Sequence, residues 1–408
     1  MKATHKLLFV LCPMLVLVFI YYSSGKLHLH VWGQKPHVGV EPTVSLTVTK
    51  AKPKPKVTTE PEREAVVSEG QIVGSVYDQQ GFLLKLDGKL DSLASSRSHL
   101  RKRPADLVYK YDNLSSESCK PGYAAAKMLA VYPKFVKPAP MFLDRNFKRL
   151  GKVSSFLPPF GFKTQERIID TILSVTKSYG LSPELDSLSC KRCIIVGNGG
   201  ILANKSLGSR IDEYDIVVRL NEAPVSGYTR DVGTKTTMRI TYPEGAIQKP
   251  EHYEKDSLFV FSAFKPLDFK WLRQMIFKEK LQGTEGFWKS VAHYVPRVPS
   301  EMRILNPYFI QEAAFQFIGL PMNNGLMGKG NIPTLGTVAI TMALHNCDEV
   351  AVAGFGYDMS TPHAPLHYYE TVKMSAIKES WTHNISKEKE FLQKLVKANV
   401  IMDLTKGI

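Results

Sequence analysis

The sequence predicts an α/β fold in which helices cover both faces of a mostly parallel sheet. Short β-branched apolar runs at Ile194–Val196 and Ile216–Leu220 have the composition of buried strands. Residues 165–179 carry an apolar stripe with helical spacing, and residues 335–345 form a second helical stretch. Strands that alternate with helices in this way indicate a parallel sheet.

Further strands are predicted from apolar runs at Thr237–Thr241, Leu258–Phe261, Arg303–Leu305 and Val350–Ala353. Polar or glycine-rich turns follow several of these runs. Gly197–Gly200, Asn221 and Gly354–Gly356 all come where a predicted strand ends. Ligands of open α/β sheets bind at the carboxyl ends of the strands, so we expect the site there, with backbone amides of the 197–200 turn able to approach a nucleotide or its phosphates.

The chain has 408 residues and a net charge of +15. This excess favours an anionic partner such as an acidic substrate or membrane surface. The basic residues are scattered along the chain and form no continuous stripe. We therefore expect most of them to lie on a solvated surface, and we expect no nucleic-acid partner.

The N-terminus predicts the compartment. Lys2 and Lys6 precede an apolar run over residues 7–22 that ends in two tyrosines, and no Ala-x-Ala cleavage site follows. These features favour an uncleaved anchor over a signal peptide, with the rest of the chain in the lumen. We expect a cytosolic tail over residues 1–6, an anchor over 7–23, a Pro- and Lys-containing lumenal stem over 24–105 and a compact domain over 106–408.

A lumenal location gives meaning to three Asn-x-Ser sequons. We expect glycans at Asn113 and Asn204, whereas Asn384 adjoins His383 and should be unmodified or carry a glycan that points outward. The lumen also permits disulfides. Cys12 falls in the anchor, and the four other cysteines can form two bridges in three pairings. A zinc site at the Cys-x-x-Cys pair would need further ligands at zinc spacing, which the sequence lacks.

The turn after the first strand departs from the dinucleotide-binding pattern because residue 202 is leucine where a third glycine is required. Asn198 and Asn221 nevertheless each carry an amide that can donate and accept, which suits a ribose or a pyrimidine edge. The alternative is that both asparagines only satisfy the backbone of their turns.

Two histidines are candidates for proton transfer. His367 lies in the segment LHYYE, and His383 lies five residues before Glu388 at the start of a helical stretch. A neutral histidine can act as a general base, and a protonated one can donate to a leaving phosphate. The alternative for each is a surface or helix-capping histidine. No Asp-x-Asp pair occurs in the chain, which argues for chemistry without a metal.

Four blocks of the chain together resemble the animal sialyltransferases. They are 193–237 (CIIVGNGG…VVRLNEAPVSGY…VGTKTT), 333–358 (PTLGTVAITMALHNCDEVAVAGFGYD), 367–370 (HYYE) and 383–388 (HNISKE). The amino-acid sequences of the segments KPAPMFLD and RILNPYFIQEAAF look most like those of the N-acetyllactosaminide α-2,3-sialyltransferase branch of that family.

The resemblance implies one nucleotide-sugar transferase domain with a variant GT-A-like fold, in a single-pass type II protein of the Golgi membrane. It implies inverting, metal-independent transfer of sialic acid from CMP-N-acetylneuraminate to the 3-hydroxyl of terminal β-galactose. Galβ1,3-type glycans or a glycolipid are the alternative acceptors. A lumenal binding protein with a degenerate nucleotide fold is the alternative class. The presence of both histidines argues against it, because only catalysis needs the pair.

The resemblance also implies residue roles. His383 would take the proton of the galactose hydroxyl, with Glu388 supporting its loop, and His367 would bind the phosphate. Residues expected to bind the donor are Asn198, Asn221, Thr334, Leu335, Gly336, Gly356 and Tyr368. The implied disulfides join Cys119 to Cys190 and Cys193 to Cys347.

Overall fold

The computed structural model describes residues 118–136, 139–281, 283–323, 328, 330–379 and 381–408, together with the backbone of two short strands upstream. These strands, β1 (Val76–Tyr77) and β2 (Leu83–Leu84), pair antiparallel. The predicted tail and anchor, most of the predicted stem and Asn113 lie outside the described residues. Among the residues that are described, no helix is both long and apolar enough to cross a bilayer.

Seven strands form the main sheet. They are β3 (Arg192–Val196), β4 (Ile216–Leu220), β5 (Met238–Thr241), β6 (Leu258–Phe261), β7 (Met302–Ile304), β8 (Glu349–Ala353) and β9 (Met402–Asp403). Their order is β7-β6-β5-β4-β3-β8-β9, and every neighbouring pair is parallel. The predicted parallel α/β sheet is therefore confirmed.

The strand order reverses beside β3. The chain lays down β3 to β7 in one direction and then returns to place β8 on the other side of β3, where Val196 pairs with Ala353. The turns that follow β3 and β8 consequently lie next to each other at the same edge of the sheet. Such a switch point opens a crevice at the carboxyl ends of the two strands.

The helices connect and cover these strands. The α-helices are α1 (Tyr123–Val131), α2 (Gly151–Ser154), α3 (Glu166–Thr176), α4 (Pro183–Asp186), α5 (Gly208–Asp212), α6 (Thr229–Val232), α7 (Pro266–Phe277), α8 (Tyr308–Gln311), α9 (Leu335–Asn346) and α10 (Ile385–Lys397). A π-helix, Glu312–Ile318, continues α8. Single turns of 3-10 helix lie at Phe147–Arg149, Gly200–Leu202, Pro243–Gly245, Pro250–His252 and Pro299–Glu301, and a longer one at Met374–Glu379.

Both faces of the sheet are buried, as the apolar runs predict. Side chains alternate along a strand, so Cys193 and Ile195 of β3 enter the larger core while Ile194 and Val196 enter a second one on the other face. Helix α9 supplies most of its residues to the larger core. The second core includes Ile211 from α5.

The predicted elements agree with the structure to within a few residues. The stripe at 165–179 corresponds to α3, which ends at Thr176 because Lys177 adopts a left-handed φ of 54°. The helix predicted at 335–345 is α9. The strand predicted at Arg303–Leu305 begins one residue earlier, at Met302. Of the longer helices, α1 and α7 were not predicted, and neither were strand β9 and the helices of four or five residues.

The structure contains both disulfides that the resemblance implies, Cys119–Cys190 and Cys193–Cys347. The second joins β3 to the residue after α9 and spans 154 positions of sequence. A crosslink over so long a segment removes much conformational entropy from the unfolded chain. The bridge therefore stabilises the packing of α9 on the strand that leads to the switch point.

Two sequons lie in the described residues and differ in their surroundings. Asn204 is exposed, and its backbone N–H donates to Asp231 Oδ2 at 2.9 Å. Asn384 is half-buried and is the N-cap of α10, where its Oδ1 accepts from the N–H of Lys387 at 3.1 Å. A side chain already used as a helix cap is a poor position for a glycan.

Candidate active site

A cavity of about 480 Å³ lies at the carboxyl ends of β3, β4 and β8. The predicted catalytic and donor-binding residues that line it are Asn198, Asn221, Thr334, Leu335, Gly336, Gly356, His367, His383 and Glu388. Positions almost 200 residues apart in sequence thus meet in one cavity at the switch point.

The glycine turn after β3 lines the cavity and is bonded to its neighbours through three backbone amides. The N–H groups of Gly197, Gly199 and Gly200 donate to the carbonyls of Ala353, Gly354 and Leu366 at 2.8, 3.0 and 3.0 Å. These three amides are engaged within the protein, so a nucleotide that approaches the turn would have to use its other polar groups.

The glycines are needed because two turns touch. A Cβ on Gly197 or on Gly199 would lie 2.6 Å from the carbonyl oxygen of Gly354. Gly356 has a φ of +90°, and a Cβ there would lie 1.7 Å from the carbonyl oxygen of Gly407. The floor of the cavity is therefore closed by direct backbone contact.

The two asparagines contact side chains rather than the backbone of their turns. Asn198 Nδ2 donates to the Tyr369 hydroxyl at 3.3 Å, and its buried Oδ1 has no partner among the described residues. Asn221 has a left-handed φ of 52°, and its Oδ1 accepts from Thr241 Oγ1 at 3.4 Å. A buried acceptor without a partner is costly, and a ligand donor in the cavity would satisfy it.

A buried arginine supports the turn that carries Asn221. Arg239 on β5 donates through Nη1 to the carbonyls of Asn221 and Ala223 at 2.8 and 2.9 Å. Its guanidinium also pairs with Glu254. Burial would raise the pKa of Glu254, but the charge and hydrogen bonds of Arg239 outweigh it and hold that pKa below the ordinary value. The sequence pattern missed this residue because an arginine inside a β-strand run is usually taken as exposed.

His383 is oriented by a backbone carbonyl. Its Nδ1 donates to the carbonyl oxygen of Ile332 at 2.9 Å. With the proton on Nδ1, the lone pair of the ring belongs to Nε2. This tautomer is the one that a general base requires.

Glu388 ties the His383 loop to helix α9. Its carboxylate accepts from the Thr334 N–H at 2.9 Å, from Thr334 Oγ1 at 2.5 Å and from Thr337 Oγ1 at 2.6 Å. Burial raises the pKa of this carboxyl, while His383 and the threonine donors act in the opposite direction. Glu388 thus holds the starts of α9 and α10 together, which is compatible with the expected support of the His383 loop.

His367 has an acidic partner. Its Nδ1 is hydrogen-bonded to Glu370, and its ring stacks on Tyr369 with centroids 5.5 Å apart. A carboxylate at Nδ1 orients the ring, so that Nε2 is the nitrogen that could bond an anion in the cavity. The backbone of His367 pairs with Gly199, which places the ring at the end of β3.

Tyr368, predicted to bind the donor, does not line the cavity. Its hydroxyl donates to the carbonyl of Pro224 at 2.6 Å, and its ring packs on Tyr228. Burial raises its pKa to about 12. The next residue, Tyr369, lines the cavity instead. Both tyrosines lie in the same HYYE block, so the sequence identified the segment but not which ring lines the cavity.

The cavity therefore holds two imidazoles in different settings. His383 has a neutral carbonyl as partner and suits proton acceptance, whereas His367 has a carboxylate as partner and suits anion binding. Lys389 also lines the cavity and donates to the carbonyl of Tyr357 at 3.1 Å. Within the described part of the chain, no group of three or more His, Cys, Asp or Glu residues is arranged to hold a metal ion.

A parallel α/β domain with such a pair of histidines at its switch point has the arrangement that group transfer with an anionic leaving group would use. The profile of glycosyltransferase family 29 (sialyltransferase) matches residues 142–400, and the chain belongs to this family.

The chain is 61% identical to the mouse protein named CMP-N-acetylneuraminate-beta-1,4-galactoside alpha-2,3-sialyltransferase. The alignment spans 404 residues, which are 99% of this chain and 98% of the mouse protein. The human protein of that name is equally similar. A rat lactosylceramide alpha-2,3-sialyltransferase is 40% identical over 72% of this chain and 77% of its own length. The crystal structure of a mammalian sialyltransferase has the same fold, with a TM-score of 0.52, 23% identity, and coverage of 72% of this chain and 99% of that one.

Proposed function

We propose that this protein transfers sialic acid from CMP-N-acetylneuraminate to the 3-hydroxyl of terminal β-galactose on N-acetyllactosamine-type glycans. The observation that carries the proposal is the pair of differently partnered histidines in one cavity of a family 29 domain. The near full-length identity of 61% to proteins named for a β-1,4-galactoside acceptor favours that acceptor class.

His383 is the proposed general base. Its Nε2 takes the proton of the galactose 3-hydroxyl as that oxygen bonds to the anomeric carbon of sialic acid. The Nδ1–H bond to Ile332 keeps the ring in the tautomer that can accept this proton. Attack opposite the leaving group inverts the anomeric centre.

His367 is the proposed partner of the leaving group. The bond from the anomeric carbon to the CMP phosphate oxygen breaks in this step, so negative charge grows on the phosphate. A protonated His367, stabilised by Glu370, donates to that phosphate and lowers the barrier. Stabilising the leaving group by a side chain takes the place of a divalent cation, and we propose that the reaction is metal-independent.

The donor-binding roles follow from position in the cavity. Asn198 and Asn221 are proposed to contact the CMP moiety, and the unsatisfied Oδ1 of Asn198 suits a hydroxyl or amino donor of the nucleoside. The start of α9, at Thr334, Leu335 and Gly336, is proposed to hold the donor, with Gly356 nearby. Tyr369 replaces Tyr368 in this set.

We also propose that the protein is a single-pass type II protein of the Golgi membrane, with residues 7–23 as the anchor, 24–105 as the stem and 106–408 as the lumenal catalytic domain. The two disulfides support an oxidising compartment. Asn204 is exposed enough to carry a glycan, as is required of a lumenal sequon.

A transfer assay tests the proposal. Purified protein is given radiolabelled CMP-N-acetylneuraminate with N-acetyllactosamine, a Galβ1,3-linked disaccharide or lactosylceramide, each with and without EDTA. We expect the highest kcat/KM with N-acetyllactosamine and no loss with chelator. Higher kcat/KM with either rival would reassign the acceptor, and dependence on divalent cations would overturn the metal-free mechanism.

A further inference from the structure

One part of the cavity wall has no role in the chemistry above. Tyr242 and Phe264 line the cavity just after β5 and β6. Parallel strands are about 4.8 Å apart, so the end of β6 lies roughly 14 Å along the sheet edge from the end of β3, where His367 is placed. This aromatic wall can therefore contact a part of the substrates that lies beyond the galactose hydroxyl and the anomeric carbon of sialic acid.

Trp288 extends the wall into solvent. Its ring centroid lies 5.7 Å from that of Tyr242 and 6.2 Å from that of Phe264, yet the residue is 55% exposed. A large exposed ring beside a binding cavity loses contact with water when a ligand covers it. The apolar face of a sugar ring is a ligand of that shape and polarity.

The ring is held in place before any ligand arrives. Lys265 Nζ lies 4.4 Å from the centroid of Trp288, and it is ion-paired with Glu244 at 2.6 Å and with Asp268 at 2.9 Å. Both carboxylates are fully buried, so the lysine is fixed from the interior. Gln248 Nε2 also donates to the Ser290 carbonyl at 3.0 Å, which fastens the chain after Trp288.

We propose that Trp288, with Tyr242, forms a stacking subsite for the sugar that precedes galactose in the acceptor. Lys265 is a positioning residue that keeps the ring in this orientation. The inference rests on the proposed function and adds the recognition of a second pyranose ring. It predicts that a disaccharide is a better acceptor than galactose alone.

Acceptor kinetics of Trp288→Ala test the proposal, with N-acetyllactosamine compared with methyl β-galactoside. We expect KM for the disaccharide to rise roughly three- to ten-fold and KM for the monosaccharide to change less than two-fold. KM for CMP-N-acetylneuraminate should be unchanged. Trp288→Phe, which keeps a flat ring, should recover most of the disaccharide affinity.

Tyr294→Ala is the matched control. Tyr294 is also an exposed aromatic covered by a lysine, with Lys278 Nζ 4.5 Å from its ring. Trp288 packs on the cavity-lining rings of Tyr242 and Phe264, and no such ring contact is found for Tyr294 among the described residues. Its removal should leave both acceptors unaffected. Equal effects of Trp288→Ala on the two acceptors, or no effect on either, would overturn the subsite while leaving the proposed function intact. Failure of the unmodified protein to sialylate any galactoside would overturn both.

Discussion

The backbone N–H of Thr334 donates to Glu388 Oε1 at 2.9 Å and so joins the first turns of helices α9 and α10. His383 precedes α10, and its ring is bonded to Ile332, just before α9. The proposed base is therefore held by its own bond to Ile332 and by the Thr334–Glu388 bond between the two helices. Its orientation depends on the contact between two helices rather than on a flexible loop.

We expect His383→Ala to lower kcat on the order of 10²–10⁴-fold, because the galactose hydroxyl then loses its proton acceptor. CMP affinity, measured by calorimetry, should be nearly unchanged, because the nucleotide is assigned to other residues. A parallel loss of CMP binding would show that His383 holds the donor and is not only a base.

Glu388→Gln should lower kcat more than it raises either KM. The amide can accept fewer hydrogen bonds than the carboxylate that now takes three, so the start of α9 and the His383 ring lose their fixed geometry. Glu390→Gln is the control, because Glu390 is exposed on the same helix. Identical kinetics of Glu388→Gln and the unmodified enzyme would contradict the positioning role.

His367→Ala should reduce kcat by about 10²–10³-fold, because charge on the departing phosphate is no longer stabilised. Glu370→Gln keeps the volume of the side chain but removes the charge that favours the imidazolium, so a smaller loss is expected. Steady-state kinetics of both variants decide this. If Glu370→Gln were as impaired as His367→Ala, Glu370 would itself contact the substrate.

The Arg239–Glu254 pair predicts a specific sensitivity to acid. Because the folded state holds the pKa of Glu254 below its unfolded value, its contribution to stability is present above about pH 4.3 and is lost as pH falls through the folded pKa. Glu254→Gln should cost about 3–5 kcal/mol at neutral pH, since Arg239 is only 2% exposed and loses its partner.

Thermal unfolding between pH 7 and pH 3.5 measures this effect. The Tm of the unmodified protein should fall more steeply below about pH 4.5 than that of Glu254→Gln, because the variant has no carboxylate left to protonate. Parallel curves would mean that the pair does not couple stability to pH.

Gly356→Ala should impair CMP binding, because the new Cβ would meet the Gly407 carbonyl at 1.7 Å and push apart the floor of the cavity. Gly227→Ala is the matched control. Gly227 has a similar φ of +86° but nothing within 4 Å of a Cβ, so it tests backbone strain without a clash. We expect the control to bind CMP normally and to lose at most about 2 kcal/mol of stability. Equal binding by both variants would contradict the steric argument.

Much of the fold could be predicted from short-range patterns. The runs RCIIV and IVVRL form buried strands because β-branched side chains pack well on both faces of a parallel sheet. Helix α9 could be recognised because its apolar residues continue over three turns. The reversal of strand order could not be predicted, because it depends on contacts between residues more than 150 positions apart.

The site was predicted less evenly. Histidines and asparagines carry recognisable chemistry, and their segments could be matched to a family. Neighbouring side chains of an extended segment point to opposite sides, and the local sequence does not say whether Tyr368 or Tyr369 points into the cavity. The packing role of the glycine turn could not be predicted, because a close approach between two strand ends and a phosphate-binding turn require the same residue type.

The contacts among Gly197, Gly199 and Gly354 limit how this enzyme could be redesigned. No larger residue fits at those positions, so changing which nucleotide sugar is accepted by remodelling the base of the cavity would require moving β3 against β8. Trp288 is on the surface and has no such constraint. Directed evolution toward new glycan acceptors should therefore sample the segment around Trp288 and leave the glycines untouched.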